Sequence, residues 1–356
     1  MSSLTVLITG GAGFVGSSLA IHIKTKYPDY TVISLDNLKR RGSELNLPRL
    51  RAHGVVFIHG DIRNKEDLDA IEHADVLIES SAEPSVLAGI DSLPDYLINT
   101  NLIGTINCLN FAVKKKAKVI FLSTSRVYPI EHINTIQTIE SETRFNISPN
   151  QPLAGVTIDG LTESFPTDGY RSFYGTTKLS SELLIHEYNK FYGLETVINR
   201  CGVLTGPWQM GKIDQGVVVL WVAMHFWKKS LKYIGFDGLG KQVRDILHID
   251  DLFDLIDLQM HNFKSVNNQT FNVGGGKDIS VSLLELTALC QKITGNIIPI
   301  EGVKETRQAD IRLYLTDNAK ITRLTGWKPS KSPAVIVEDI HTWLAENQEQ
   351  LKHILT

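Results

Sequence analysis

The chain has 356 residues, enough for one large and one smaller α/β domain with a sizeable core. Its 42% hydrophobic and 21% charged residues exclude a disordered chain, and a net charge of −3 excludes the basic field that nucleic-acid binding requires. Cys108, Cys201 and Cys290 lie far apart, with no Cys-x-x-Cys spacing. That pattern argues against a disulfide framework and against a metal site, and it fits a reducing, cytoplasmic environment. No signal peptide is expected ahead of the first strand-like run, and no apolar run reaches membrane-spanning length. The most apolar stretch, 216–227, ends in Lys228 and Lys229 and reads as a buried helix.

Taken in order, short apolar runs alternate with helical patterns. Strands are expected over 4–9, 32–35, 55–59, 76–78, 119–122 and 195–200, and helices over 15–26, 65–72, 96–115 and 175–192. Strands apolar on both faces, alternating with helices, are what a doubly wound parallel sheet requires. After Arg200 the rhythm changes. The segment to Lys241 reads as mixed loop and helix, followed by a helix over 250–260, a strand over 270–273, and helices over 282–294 and 334–348. The expected organisation is a dinucleotide-binding domain over 1–201 with a returning segment at about 246–275. Residues 202–245 and 276–356 are expected to form a smaller, partly discontinuous α/β substrate domain.

The first strand runs directly into Gly10-Gly11-Ala12-Gly13-Phe14-Val15-Gly16, which opens a helix. Gly10 permits the tight turn, Gly13 lets backbone approach a pyrophosphate, and Gly16 lets helix and sheet pack closely. The helix start at Phe14 and Val15 offers N–H groups and a positive dipole end to that anion. An acid, Asp36, ends the second strand about twenty residues on. A carboxylate there accepts bonds from ribose hydroxyls and repels a 2′-phosphate, which favours NAD over NADP. The cations Lys39, Arg40 and Arg41 form either a solvated loop or a set of phosphate contacts. Asp61 either meets the adenine amino group or caps the helix that starts near Asn64.

Tyr174 and Lys178 stand four apart at the start of a helix and therefore share a face. An ammonium near the phenol stabilises phenolate, which can take a hydroxyl proton while hydride leaves the same carbon for a nicotinamide. The hydroxyl that orients the substrate oxygen is assigned to Thr124, at the end of the fifth strand, with Ser123 and Ser125 beside it. The carboxyl ends of parallel strands face the ligand crevice.

These residues resemble the extended short-chain dehydrogenase/reductases that act on nucleotide sugars. The likeness covers nearly the whole chain. It is carried by Thr9 to Gly16, Asp36-Asn37, Asp61-Ile62, Asn101-Leu102-Ile103-Gly104-Thr105, Ser123-Thr124 with Val127-Tyr128, and Tyr174-Gly175-Thr176-Thr177-Lys178. The resemblance implies a Rossmann domain and tightly held NAD. It also implies a homodimer built through the helix containing Asn101 and the one starting at Tyr174. Beyond the glycine loop and Asp36, it implies cofactor contacts at Asn37, Asp61, Ile62, Ser81, Asn101, Ser123, Tyr174 and Lys178.

Within the family, the chain is most similar to the CDP-paratose (CDP-tyvelose) 2-epimerases. The segment between Tyr128 and Tyr174 carries this likeness, with Gly206-Pro207-Trp208-Gln209, Asp214-Gln215-Gly216 and Gly240 to His248. The resemblance implies substrate contacts at Ser125, Arg126, Gln209, Gln215, Gln242, Arg244, Arg307 and Asp310. Arg244 would contact the diphosphate, since an arginine fork suits phosphate oxygens. Its other reading is a structural ion pair with Asp245 or Asp251.

Sugar 4,6-dehydratases of the family carry Asp-Glu directly after the threonine, and here Ser125 and Arg126 stand in those places. Two departures concern the substrate. Glu79-Ser80-Ser81-Ala82 replaces the frequent His-x-Ala-Ala, and Pro129 replaces the usual glycine after Val-Tyr. The expected activity is inversion of one sugar carbon through a transient keto-sugar, at carbon 2 of a CDP-linked deoxysugar. A UDP-sugar 4-epimerase uses the same residues. Two further alternatives are a non-catalytic NAD-binding sensor and a net oxidoreductase that releases NADH.

Overall fold

The computed structural model describes residues 3–90, 92–211 and 215–355. Asp214, one of the residues carrying the likeness, lies outside them. In chain order the elements are β1 (Thr5–Thr9), α1 (Phe14–Lys26), β2 (Thr31–Asp36), α2 (Asn46–Ala52), β3 (Val56–His59), α3 (Lys65–Asp69), β4 (Val76–Glu79), α4 (Asp95–Ile98), α5 (Gly104–Lys115) and β5 (Lys118–Thr124). Then come α6 (Ile130–Asn134), β6 (Thr138–Glu140), β7 (Phe145–Ile147), β8 (Val156–Thr157), β9 (Gly160–Leu161), α7 (Phe173–Tyr192), β10 (Thr196–Cys201), β11 (Val203–Thr205), α8 (Val217–Phe226) and β12 (Leu231–Ile234). The remainder is β13 (Val243–His248), α9 (Ile249–His261), α10 (Phe263–Val266), β14 (Gln269–Val273), β15 (Ser280–Ser282), α11 (Leu283–Thr294), β16 (Ile300–Val303), β17 (Leu313–Tyr314), α12 (Ala319–Thr325), α13 (Pro333–Glu346) and α14 (Gln348–Leu355).

The chain divides into two compact units. The first comprises Met1–Val127, Ser172–Arg200 and Phe253–Phe271. Its seven-stranded sheet has the order β14-β10-β5-β4-β1-β2-β3. The pairs β1–β2, β2–β3, β1–β4 and β4–β5 run parallel. Successive strands step outward one way from β1 to β3, then the other way from β4. The switch point therefore lies between β1 and β4, where a doubly wound sheet opens its ligand crevice. The strands are apolar on both faces because helices cover both. On one face Leu7, Leu77, Val119 and Phe121 pack with Leu109 and Phe111 of α5 and Ile185 of α7.

Two expectations for this unit need correction, and one helix was not expected. The helix expected over 96–115 is interrupted by a π turn over Asn99–Ile103. Such a turn frees a backbone carbonyl, and that of Asn101 is taken up by side chains, as described below. The helix expected to run to Glu72 stops at Asp69. Helix α2, with Pro48 in its first turn, carries too short a pattern to be read from periodicity.

Helix α7 buries an unusual stripe. Thr177, Lys178, Ser181 and Glu182 face inward together with Gly175 and Ile185. The spacing is that of an amphipathic helix, yet most of the buried residues are polar. One of these buried charges has a counter-ion. Glu182 receives Arg200 from β10 through Nε (3.1 and 3.0 Å) and Nη2 (2.7 Å). Ser172 caps the helix start by accepting from the Gly175 N–H at 3.2 Å, and Gly193 closes the end in the left-handed region at φ 66°.

The second unit comprises Tyr128–Arg171, Cys201–Leu252 and Asn272–Thr356. Its main sheet has the order β11-β13-β15, with β17 also on β13, and β12 pairs with β16 in parallel. Strands β11 and β12 correct the expectation of mixed loop and helix up to Lys241. Each is so short that its alternation cannot be told from loop. Helix α8 is apolar all round and buried from Val218 to Ala223, as expected for 216–227. The final helical segment is two helices, α13 and α14, separated at Asn347. Among the described residues no helix is long and apolar enough to cross a membrane. Nor, among them, are three His, Cys, Asp or Glu residues grouped so as to hold a metal ion.

The Glu182–Arg200 pair yields a stability prediction. Arg200→Met leaves the Glu182 carboxylate buried without its counter-charge, and should cost about 3–5 kcal/mol. Adding Glu182→Met should recover most of that loss. Urea unfolding of the two variants checks both, and an unchanged midpoint for the single variant would refute the assignment.

Candidate active site

The residues expected to bind the cofactor gather in the first unit at the carboxyl ends of its strands. Gly10, just after β1, has φ 67°, a conformation side chains disfavour. A Cβ there would lie 2.9 Å from the Ser81 backbone, and one at Gly16 would lie 2.2 Å from the Gly10 carbonyl. Gly13 is different: its only close neighbour would be the Gly10 carbonyl at 3.2 Å. It stands as the N-cap of α1, so the N–H groups of Phe14, Val15 and Gly16 have no partner within the helix. A loop that any Cβ would fill, ahead of three free donors, fits a pyrophosphate.

Two further groups hold this loop. Asp36 accepts from the Ala12 N–H at 3.1 Å and from the Leu38 N–H at 2.8 Å. Burial pushes its carboxyl up, against the pull of those backbone bonds. Each oxygen keeps acceptor capacity, so the carboxylate can still take ribose hydroxyls. Asn46 at the start of α2 donates to the Ala12 carbonyl at 2.8 Å. Sequence reasoning missed Asn46, because nothing in its spacing ties it to the glycine loop.

Asp61 does not cap α3, whose N-cap is Asn64. Its carboxylate receives Arg63 Nη2 at 2.6 Å and Asn37 Nδ2 at 2.8 Å. Burial pushes its pKa upward, but the bonds from Arg63 and Asn37 outweigh burial and hold it at about 2. Asn37, Lys39, His59, Asp61 and Arg63 line a recess of about 320 Å³. Lys39 does not float free: its Nζ sits 3.5 Å from the centre of the Tyr96 ring, with the Arg63 guanidinium 4.8 Å from the same ring. The Ile62 side chain is buried; a Cβ on Gly104 of α5 would meet it at 2.5 Å.

Asn101 is fully buried in the π turn. Its side chain accepts from the Glu83 N–H at 2.8 Å and donates to the Glu83 carbonyl at 3.1 Å. It thus ties down the segment that follows β4 and Ser81. The Asn101 carbonyl lies 2.8 Å from Thr105 Oγ1 and accepts from Ser181 Oγ at 3.1 Å.

The groups expected to react come from β5 and α7. Thr124 is the last residue of β5, and its Oγ1 accepts from the Arg126 N–H at 3.2 Å. Tyr174 is half-buried in the first turn of α7, one turn before Lys178. Lys178 is only 2% exposed. Its Nζ donates to the Leu122 carbonyl at 2.9 Å and lies 4.4 Å from the centre of the Phe121 ring. The ammonium is therefore fixed beneath the strand end that carries Thr124. Ser123 donates to Glu182 Oε1 at 2.5 Å, which ties its hydroxyl to the Glu182–Arg200 pair. Ser125 and Arg126 form a short turn directly after Thr124, so no carboxylate follows the threonine.

Glu79, noted in the sequence only as a departure, ends β4 with no exposure. Burial pushes its carboxyl up to about 7, against the pull of Lys178 and Thr105.

The residues expected to bind substrate in the second unit have these placements. Arg244 donates to the Val243 carbonyl at 2.7 Å and the Ile311 carbonyl at 2.6 Å. Asp245 accepts from the N–H groups of Gly276 and Thr316, and Asp251 from those of Ser330 and Lys331. Gln209 donates to the Leu204 carbonyl at 2.9 Å and Gln242 to the Ile234 carbonyl at 3.1 Å. Gln242 Oε1 is buried without a hydrogen-bond partner. Gln215, Arg307 and Asp310 are half-buried, and a turn links the Asp310 N–H to the Arg307 carbonyl at 3.0 Å.

Comparison with known proteins identifies the family of the chain. The family described as "NAD dependent epimerase/dehydratase family" matches over residues 6–274. The CDP-paratose 2-epimerase of Salmonella typhi is 32% identical, covering 96% of this chain and 99% of the relative. A UDP-glucose 4-epimerase of Halalkalibacterium halodurans is 28% identical, covering 96% and 95%. Among solved structures, the dTDP-glucose 4,6-dehydratase DesIV of Streptomyces venezuelae, with NAD and TYD bound, superposes with a TM-score of 0.78. It is 28% identical, covering 97% of this chain and 98% of that one. The chain belongs to the NAD dependent epimerase/dehydratase family, and it is an enzyme whose cofactor is NAD.

Proposed function

We propose that this enzyme is a nucleotide-sugar epimerase that inverts carbon 2 of a CDP-linked deoxysugar, interconverting CDP-paratose and CDP-tyvelose. The observation that carries the reading is the turn after Thr124. Dehydration in this family needs an acid and a base beside the threonine, and Ser125 and Arg126 supply neither. Epimerisation needs only a proton acceptor that returns what it takes. The 32% identity to a CDP-paratose 2-epimerase over nearly the full length of both chains supports the choice of sugar.

The cofactor would be held by the glycine loop, the start of α1 and Asp36, and when bound it supplies the acceptor and later donor of the electron pair of one sugar C–H bond. The chain's own residues handle the proton. Lys178, fixed on the Leu122 carbonyl, favours the phenolate of Tyr174. Tyr174 takes the proton from the sugar hydroxyl and gives it back after the keto-sugar has turned over. Thr124 orients the oxygen. Gln209, Gln215, Gln242, Arg244, Arg307 and Asp310 hold the nucleotide end throughout, which keeps the keto-sugar from escaping.

We also place the protein in the cytoplasm as a homodimer. All three cysteines are buried and none is in a disulfide, as a reducing compartment allows. On α7, Leu183, Phe191 and Tyr192 are 62%, 76% and 65% exposed, and Ile103 at the start of α5 is 40% exposed. A second copy of the same two helices would cover them.

The function is tested by incubating the purified protein with CDP-paratose, CDP-tyvelose, UDP-glucose and UDP-galactose, without added NAD, and following products by NMR. Conversion of the CDP-sugars at carbon 2 is expected, and Tyr174→Phe should slow it by about 10²–10⁴-fold. Conversion of the UDP-sugars alone would make it a 4-epimerase, and NADH accumulating with substrate would make it a net oxidoreductase. A Tyr174→Phe variant as fast as the parent would remove Tyr174 from the mechanism. For the dimer, Leu183→Glu should halve the mass found by light scattering, and an unchanged mass would place the interface elsewhere.

A further inference from the structure

We propose that Glu79 is a positioning residue that holds a proton in the resting enzyme, keeping the carboxyl opposite Lys178 neutral, and that on losing it becomes a counter-charge restraining Tyr174 from ionising. The proposal rests on the reading of Tyr174 and Lys178 given above.

The geometry begins with a proton count. Thr105 Oγ1 lies 2.7 Å from Glu79 Oε1 and 2.8 Å from the Asn101 carbonyl. The threonine hydroxyl has one hydrogen, and a carbonyl and an ionised carboxylate are both acceptors only. If Glu79 were ionised, Thr105 could satisfy one neighbour but not the other. If Glu79 is the acid, its Oε1–H donates to Thr105 Oγ1, and Thr105 donates onward to Asn101. Both short contacts are then hydrogen bonds. Glu79 Oε2 points the same way: it is buried without a hydrogen-bond partner. An unpaired carboxylate oxygen in the core is costly, whereas the carbonyl oxygen of a neutral acid is much less so.

The surroundings decide what loss of that proton would do. Glu79 is paired in register with Phe121 of β5, the ring above which the Lys178 ammonium lies. Helix α7 thus brings Lys178 toward the carboxyl; Glu182, one turn further on, is spent on Arg200 and Ser123. Helix α5 brings Cys108, whose thiol is pushed up by burial and by Glu79 itself. Strand β1 brings Thr9, opposite Glu79 in the ladder, and β5 brings Phe121; neither titrates in the working range. Lys178 is therefore the one cation whose field Glu79 answers among these neighbours. A neutral Glu79 leaves the full ammonium field to Tyr174. An ionised Glu79 cancels part of it and disfavours the phenolate. Burial lifts the carboxyl to about 7, so this change falls near neutrality.

Two measurements test the proposal, and one needs no catalysis. With glutamate carboxyls labelled by ¹³C, one resonance of the wild-type enzyme should titrate near neutrality, far above ordinary glutamates, and be missing in Glu79→Gln. If no glutamate titrates above pH 6, the proposal fails, whether or not Glu79→Gln folds and whatever the enzyme's substrate proves to be. The second measurement is the pH dependence of kcat/KM for epimerisation. In Glu79→Gln the acidic limb below neutrality, where the wild-type carboxyl already holds its proton, should be unchanged, and above about pH 7 the wild-type rise should lag that of the variant by up to about one unit, the order expected when one buried charge is removed nearby. A variant slower by the same factor at every pH would show a merely structural role and overturn the proposal. Failure of the substrate assay leaves the ¹³C titration in place, so the two readings fail separately.

Discussion

The first unit is organised around a cation that has to be buried. Lys178 is 2% exposed, and an ammonium taken out of water is tolerated only where protein dipoles and charges replace its hydration. The Leu122 carbonyl and the Phe121 ring do this, and Glu79 adds a counter-charge only once it ionises. Each belongs to the end of a central strand. Consequently β4, β5 and α7 cannot shift relative to one another without exposing or stranding the charge. The inward stripe of α7 follows from the same need. Where an ordinary sheet-covering helix would present leucine and valine, this one presents Thr177, Lys178, Ser181 and Glu182, each with a partner on a neighbouring element.

Much of the first unit was legible in the sequence. The strands that build its sheet are apolar on both faces, and their period cannot be mistaken for a solvent-facing one. The glycine loop was legible because Gly10 and Gly16 answer to backbone contacts that any Cβ would violate. The Tyr174–Lys178 pair was legible from its spacing. The partners that fix those groups were not. Glu182 sits one turn beyond Lys178 on the same face, a signal that was available. Its counter-ion Arg200, however, is on β10 and meets it only through the fold. Asn46 and Thr105 are likewise ordinary helix residues until the tertiary structure brings them to Ala12 and Glu79.

The second unit was less legible for a physical reason. Its strands are two to six residues long, and several contribute only one or two inward positions, too few to show a period. Helix α8 escaped this limit because eleven consecutive, mostly apolar residues bounded by Gly216 and Lys228 fit little else. The polar side chains of this unit, Gln209, Gln242 and Arg244, each spend part of their hydrogen-bonding capacity on local carbonyls. Such bonds fix the side-chain direction, and in the proposed nucleotide site that would lower the ordering cost of binding.

Histidine, frequent in the family at the position of Glu79, becomes neutral by losing a proton, whereas a carboxyl becomes neutral by holding one. In a site built around a buried ammonium, neutral histidine and neutral glutamic acid leave the cation's field on the tyrosine intact. They part company in opposite directions: protonated histidine adds a positive charge, and ionised glutamate adds a negative one. The first would deepen the cost of burying Lys178 as pH falls. The second relieves that cost as pH rises, but weakens the hold on the phenolate. Glu79 therefore trades tyrosine activation at alkaline pH for tolerance of the buried lysine. Burial lifts the Glu79 carboxyl to about 7, so its neutral form is favoured on the acid side of neutrality, where the phenolate is hardest to form and most needs the undiminished ammonium.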